Sequence, residues 1–388
     1  MALWSCGEVG GIRVAIAGGG TGGHTSVGLA VAHALRARFP SDLALLWVGS
    51  RAGIEARIVP EAHIPYQAIS TGKLRRSWSL ENITDLLLRF PAGVFQARRC
   101  LRAFRPHVLF ATGGFVSVPP ALAAWRLGIP VVVHEQVSAP GLANRLVGRI
   151  ARRIALTFPQ AASAFPRGKT VVTGNPLRPE LEGGSREKAF AALRLSPDLP
   201  LVYVTGGAQG SHAINRAVGA ILPELLTTVQ MIHQCGEQPT TGDRAWLEAQ
   251  AQTLPEPLRA RYRIIPYVGA ELREIYAAAD LVVGRAGAGT VNECCHLGLP
   301  ALFIPLPGAS ADEQAANARI LAEAGAAVVI PEAQLSPERL RDTIRGLLQD
   351  RARLKQMGDR ARSLAIPDAA DRLVALLSEV AQGRRERT

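Results

Sequence analysis

No Cys-x-x-Cys pair occurs among the five cysteines, Cys6, Cys100, Cys235, Cys294 and Cys295, and no histidine stands at zinc-finger spacing. Neither a disulfide framework nor a structural zinc site is expected, and a reducing cytoplasm suits these thiols. Asp-x-Asp, the carboxylate pair that holds a divalent metal against a nucleotide diphosphate, never appears. Any phosphate charge must then be met by protein groups. No stretch reads as a membrane span, because the longest uncharged run, Val108–Trp125, is broken by Gly113, Gly114, Pro119 and Pro120. Met1 to Gly11 lacks the charged and apolar regions of a secretory signal and reads as a loose lead-in. Aromatic residues make up only 5%, and four lysines among 44 basic residues leave 40 arginines, partly a compositional bias.

What is present is 388 residues, 48% apolar, enough for two domains with separate cores. The formal net charge of +12 points to an anionic partner: nucleic acid, anionic lipid or a phosphorylated substrate. Nucleic acid is disfavoured, since the basic residues follow no recognised module.

Apolar periodicity predicts a strand over Ile12–Ala17, a glycine-rich turn, a helical pattern over Val27–Phe39 and a second strand over Leu43–Val48. The same series returns at Leu201–Thr205, with an amphipathic stretch to Leu226 and a strand at Val229–His233. The turns align without a gap: Gly18-Gly19-Gly20-Thr21-Gly22-Gly23-His24 with Gly206-Gly207-Ala208-Gln209-Gly210-Ser211-His212. Leu-Gly-x-Pro also recurs, at Leu127–Pro130 and Leu297–Pro300. Strands alternating with helices predict parallel sheets covered on both faces, so the α/β chain should form two Rossmann-like domains facing a central cleft. Residues 1–174 and 175–368 are the expected domains, joined near the Pro- and Gly-rich segment Gly174–Ser185, with a last helix in 369–388 packing back on the first.

A glycine-rich turn running from strand to helix lets backbone N–H groups approach phosphate, aided by the partial positive charge of the helix N-terminus. Gly18-x-Gly20-x-x-Gly23 also fits a dinucleotide fingerprint, a weak signal alone, and nearly fits a Walker loop, except that His24 replaces the lysine. A nicotinamide enzyme should carry an acidic residue at the end of the second strand; Gly49-Ser50-Arg51 stands there, and Arg51 leaves NADP open. Tight helix–sheet packing is the competing role for these glycines. Arg178, in Gly174-Asn175-Pro176-Leu177-Arg178, is either a bidentate phosphate ligand or a solvated linker residue.

Taken together, the motifs resemble the MurG family of UDP-N-acetylglucosamine:undecaprenyl-pyrophosphoryl-muramyl-pentapeptide N-acetylglucosaminyltransferases, over roughly Ile12 to Leu377. They are Gly19–His24, Thr112-Gly113-Gly114-Phe115-Val116-Ser117, His134-Glu135-Gln136, Gly174–Arg178, Gly206–Gly210, Arg285–Glu293 and Asp312-Glu313-Gln314-Ala315-Ala316-Asn317. The resemblance implies a GT-B fold with no metal and no cofactor, inverting chemistry, a UDP-N-acetylglucosamine donor on the second domain and a lipid-linked muramyl-pentapeptide acceptor on the first. It places Thr21, Gly22 and Gly23 by the sugar and diphosphate, and Arg178, Ala208 and Gln209 on the donor. It places Gly287, Ala288, Gly289, Thr290, Val291 and Asn292 under the nucleotide, Val268 beside uracil, Glu293 on the ribose and Gln314 on the sugar. Thr290-x-x-Glu293 also reads as a capping box, Gln314 as an exposed helix face, and His24 as a helix-start residue bonding its neighbours. The chain departs from the family at Val27 for proline, Val137 for the asparagine after His-Glu-Gln, and Ala208 for serine. Valine cannot hydrogen-bond a sugar, so that contact is absent or moved.

The acceptor hydroxyl must lose a proton as it attacks, so a base belongs near the first loop: His24 first, Glu135 second. A helix N-terminus biases a histidine toward its neutral form. Between Lys73 and Arg105, Lys73, Arg75, Arg76, Arg89, Arg98, Arg99, Arg102 and Arg105 alternate with Trp78, Leu86, Leu87, Leu88, Phe90, Val94 and Phe95. That pattern suits either helices packed on the first domain or docking on the anionic inner face of the cytoplasmic membrane, where the resemblance places the protein. Rival readings are a transferase acting on another lipid, a UDP-N-acetylglucosamine 2-epimerase, an NADP oxidoreductase and a non-enzymatic membrane scaffold.

Overall fold

The computed structural model describes residues 11–72, 88–236, 239–308 and 312–385. The chain divides into two compact units, Met1–Pro179 with Ile366–Thr388, and Glu180–Ala365.

The first unit alternates strand and helix: β1 (Ile12–Gly18), α1 (Gly22–Arg38), β2 (Leu43–Ser50), α2 (Glu55–Glu61) and β3 (Tyr66–Ile69). There follow α3 (Phe90–Phe104), β4 (Val108–Gly113), α4 (Val118–Arg126), β5 (Val131–Glu135), α5 (Leu142–Ile150), β6 (Arg153–Leu156) and β7 (Thr170–Val172). The strands pair in parallel in the order β3-β2-β1-β4-β5-β6-β7. Strands covered on both faces are apolar nearly throughout, as β4 is, every residue of it buried.

Alternation along the strands sorts the core into two layers. Ala15, Leu46, Val48, Leu109 and Ala111 meet Leu101, Ala121, Ala124 and Val147 from α3, α4 and α5. Val14, Ile16, Trp47 and Phe110 point to the other face, toward Val31 and Leu35 of α1. The last helix of the chain, here called the C-terminal helix (Ala369–Arg385), joins that second layer through Leu373 and Leu377, both fully buried. Each such leucine contributes about 1.5–3 kcal/mol, which anchors the end of the chain to the unit that holds its beginning.

The second unit repeats the plan with α6 (Arg186–Leu193), β8 (Leu201–Thr205), α7 (His212–Leu225), β9 (Gln230–Gln234), α8 (Asp243–Gln252), α9 (Glu256–Arg259), β10 (Tyr262–Ile265) and α10 (Leu272–Ala278). It continues through β11 (Leu281–Gly284), α11 (Ala288–Leu297), β12 (Ala301–Phe303), α12 (Glu313–Glu323), β13 (Ala327–Val329), α13 (Pro337–Gln349) and α14 (Arg351–Leu364). Its parallel order is β10-β9-β8-β11-β12-β13. The two doubly wound parallel sheets expected from the sequence are therefore present. Strand order reverses between β1 and β4 in one unit and between β8 and β11 in the other, and ligands of such sheets bind at the carboxyl ends beside that reversal. One boundary differs: α1 begins at Gly22, inside the glycine turn, five residues before the apolar pattern shows it.

Candidate active site

The first glycine turn is held from β2. The Trp47 indole N–H donates to the Gly18 carbonyl at 3.1 Å, and the ring packs so closely on α1 that a Cβ at Gly28 would lie 2.3 Å from it. Glu55, fully buried, accepts from the Gly20 N–H at 3.0 Å and from the Ser50 N–H at 3.1 Å. Gly20 takes a φ of +81°, open to glycine at little cost. An acidic group does therefore stand near the end of the second strand, but it comes from α2 and is spent on the turn. Arg51 is exposed.

Thr21 is the N-cap of α1, yet its side chain makes no cap bond to the helix. Its Oγ1 lies 2.8 Å from His24 Nδ1 instead. The first-turn N–H groups thus have no side-chain cap, as an anion site requires. His24, half-buried in the first turn, is lowered to about 4, first by desolvation, with Glu55 pulling the other way. Burial thus pushes the His24 imidazole toward its neutral form. With Nδ1–H donating to the Thr21 hydroxyl, the neutral imidazole keeps its Nε2 lone pair for a proton.

The floor beneath His24 comes from the end of β4. Gly113 and Gly114 take φ of +108° and +74°, and a Cβ at Gly113 would sit 2.7 Å from the imidazole Cδ2. Any side chain there displaces the histidine. The adjoining His134, Glu135 and Gln136 are all buried. His134 Nε2–H donates to the Gly174 carbonyl at 2.9 Å, and burial lowers its pKa to about 4. Glu135 accepts from the Val137 N–H at 3.1 Å and from Asn144 Nδ2 at 2.9 Å. Both carboxylate oxygens are engaged and the residue is 3% exposed, so Glu135 braces its loop. Val137, nearly buried itself, offers its N–H to that brace. Thr112 Oγ1, His134 Nδ1 and Asn144 Oδ1 are buried without a protein partner, an unusual concentration outside a functional site.

In the second unit the matching turn behaves differently. Thr205 Oγ1 accepts from the Gly207 N–H at 3.0 Å, and the Ser211 side chain caps α7 by accepting from the Ile214 N–H. Ala208 and Gln209 stand exposed at the tip. Gly210 takes a φ of +75°, and a Cβ there would meet the Cys235 carbonyl at 1.9 Å. His212, the sequence counterpart of His24, is tied to Asp243 at 2.7 Å.

On the far side of the β8/β11 reversal, α11 opens at Gly287 without a side-chain cap, and Gly287, Ala288, Gly289 and Thr290 are half-buried. The Thr290–Glu293 capping box is corrected here: the N-cap is Gly287, so Thr290 already lies in the helical first turn. Glu293 instead accepts from the Tyr276 hydroxyl at 2.7 Å. Val291 is fully buried, and its N–H donates to the Gly287 carbonyl. Asn292 is nearly buried and donates to the Ala288 carbonyl at 2.8 Å, bracing the turn. Val268 is 7% exposed in the loop after β10, leaving mainly its backbone for a ligand. Gln314 is not on an exposed face; half-buried at the start of α12, it accepts from the Leu306 N–H at 3.0 Å. Arg178 is half-buried in the irregular chain after β7.

Sequence reasoning missed Trp47, Glu55 and Asn144, which orient the first turn and the His-Glu-Gln loop. A readable hint was Glu55 in the first turn of the helix after β2, where an acidic group was sought four to six residues too early.

The doubled parallel sheet, with uncapped helix starts after β1 and β11, has the GT-B plan, and two family matches make the chain a glycosyltransferase. Residues 14–156 match the glycosyltransferase family 28 N-terminal domain, and residues 201–373 its C-terminal domain. The chain is 39% identical over 370 residues to the UDP-N-acetylglucosamine--N-acetylmuramyl-(pentapeptide) pyrophosphoryl-undecaprenol N-acetylglucosamine transferase of Moorella thermoacetica, covering 94% of this chain and 98% of the relative. It is 37% identical over 370 residues to the Bacillus licheniformis protein of the same name, covering 95% and 99%. The chain belongs to the MurG family. The crystal structure of Acinetobacter baumannii MurG matches with a TM-score of 0.72 at 29% identity, over 95% of this chain and 99% of that one. A UDP-GlcNAc 2-epimerase from Neisseria meningitidis, bound to UDP-GlcNAc, matches with a TM-score of 0.68 at 14% identity over 95% and 99%, a likeness of fold alone.

Proposed function

We propose that the chain transfers N-acetylglucosamine from UDP-N-acetylglucosamine to undecaprenyl-pyrophosphoryl-N-acetylmuramyl-pentapeptide, the lipid II-forming step of peptidoglycan synthesis, with inversion and without a metal. The observation that carries this reading is the near full-length match to relatives named for that transfer. His24 takes the proton of the acceptor hydroxyl as its oxygen bonds to the anomeric carbon and the bond to UDP breaks. The departing diphosphate is met by N–H groups of uncapped helix starts and by Arg178. A helix N-terminus contributes up to about 2 kcal/mol in a partly buried site, so several such groups must act together. Thr21, Gly22 and Gly23 serve this role in the first unit. In the second, Gly287–Thr290 underlie the nucleotide, Glu293 holds the ribose, the Val268 backbone faces uracil, and Ala208, Gln209 and Gln314 meet the remainder of the donor.

Docking on the anionic inner face of the membrane is proposed as peripheral. No described helix is long and apolar enough to cross a membrane. Leu88 and Phe95 are 68% and 69% exposed, and Arg98 and Arg99 beside Phe95 on α3 are exposed as well. Lys73 to Leu87, the rest of the expected docking stretch, lies outside the described residues.

The deciding assay supplies radiolabelled UDP-N-acetylglucosamine and the lipid-linked acceptor in EDTA. Label entering the lipid fraction is expected. Tritium exchange at the second carbon of the sugar, with no label in lipid, would establish the epimerase instead.

A further inference from the structure

In the second unit a hydrogen bond joins α10 to α11, with one end sealed in the core and the other partly open. Tyr276, on α10, is 4% exposed and donates its hydroxyl to Glu293 Oε2, on α11, at 2.7 Å. Glu293 is half-buried. Burial raises the Tyr276 phenol well above its usual value, and the Glu293 charge adds to it, so at neutral pH the group is always a donor.

Packing fixes the Tyr276 ring from behind. Tyr203 of β8 meets it edge to face, with centroids 5.6 Å apart and planes at 85°. The Tyr203 hydroxyl donates to Gln234 Oε1 on β9 at 2.7 Å, and Thr205 Oγ1 donates to the same oxygen at 2.9 Å while accepting from the Gly207 N–H. The support of Glu293 is therefore continuous with the sheet and with the glycine turn after β8. On the other side of the carboxylate, Oε1 faces the opening of α11, where a Cβ added at Gly289 would lie 3.9 Å from it. Gly287, Ala288 and Gly289 are half-buried there, and the helix start has no side-chain cap. A glutamate side chain is flexible, and immobilising it on binding costs free energy. A bond from a ring already held by packing removes that cost in advance.

We propose that Tyr276 is a positioning residue for the nucleotide: its hydroxyl holds the Glu293 carboxylate toward the ribose hydroxyls, so that the pair selects a ribonucleotide over its 2′-deoxy counterpart. This rests on the reading of Glu293 as the ribose ligand. A 2′-hydroxyl donating to a carboxylate already in place makes a charge-assisted bond that a deoxyribose cannot make.

Equilibrium binding of UDP and of 2′-deoxy-UDP to the full chain tests this, in wild type, Y276F, E293A and Y276F/E293A. Wild type is expected to prefer UDP by about tenfold, and E293A to remove most of that preference. Y276F keeps the ring and its contact with Tyr203, and should lower the preference by about threefold or more. Combined with E293A it should change the preference no further, because it acts through that carboxylate. A purely structural tie would weaken both nucleotides alike: if E293A loses the preference and Y276F keeps it, the positioning role is overturned. If E293A keeps the preference, or wild type shows none, the ribose reading of Glu293 fails and takes the proposal with it. Absence of label transfer to lipid, with the binding preferences as expected, would count against the transferase reading and leave the role of Tyr276 standing.

Discussion

His24 and His212 occupy the same place in two aligned turns, yet their surroundings give them different chemistry. His212 is 58% exposed at its side chain and paired to Asp243, whereas His24 is packed over Gly113 and lowered to about 4. The proposed base predicts that His24→Gln lowers kcat by about 10²–10⁴-fold with little change in melting temperature. Single-turnover measurements with the lipid-linked acceptor check it, and an unchanged rate would exclude His24 as the base. The pH profile carries a sign: the neutral form accepts the proton, so kcat/KM should hold down to about pH 4 and fall below it. Glu55 raises the His24 pKa, so Glu55→Gln, which keeps an acceptor for Gly20, should move that acid limb to still lower pH. A limb that stays or rises would show that the carboxylate acts on the turn alone.

Among the turns and strands, glycine is required where two segments approach too closely for a Cβ. Gly113→Ala is predicted to cut kcat at least tenfold, because the new methyl meets His24 in a backbone with φ of +108°. A crystal structure of the variant should show the imidazole displaced, and an unmoved ring with full activity would contradict the account. The sheets also carry buried neutral imidazoles. His233 sits between the Tyr262 hydroxyl at 2.8 Å and Asn215 Oδ1 at 2.9 Å, and burial lowers it to about 3. His134 is lowered to about 4 by the same cause. Unfolded chains bind these protons near pH 6.5, so between there and about pH 4 the unfolded state holds more protons and stability falls as the pH is lowered. The melting temperature should therefore drop over that window, and substituting His233 by asparagine should flatten the drop. A melt independent of pH from 6.5 to 4 would refute this.

For the molecule as a whole, Leu88 and Phe95 are the described apolar side chains most exposed to solvent. Each contributes roughly 1.5–3 kcal/mol when buried, so L88S/F95S should weaken binding to phosphatidylglycerol vesicles by at least tenfold in a sedimentation assay. Transfer to a detergent-solubilised acceptor should stay near wild type; unchanged vesicle binding would remove these residues from the docking surface. The two doubly wound sheets and the glycine turn after β1 were legible from residue order alone, since apolar period and glycine spacing act over a few neighbouring residues. The roles of Glu55, Asn144 and Glu135 were not legible. Their partners lie on other elements, up to 35 residues away for Glu55 and Gly20. Thr290 likewise fitted a capping pattern until the helix was found to begin at Gly287. Local pattern establishes which segments form and where phosphate can approach them. Desolvation and hydrogen-bond partnership depend on which distant segments fold against a residue, so the buried setting of His24, the engagement of Glu135 by Asn144 and the pairing of His212 with Asp243 had to come from the folded chain.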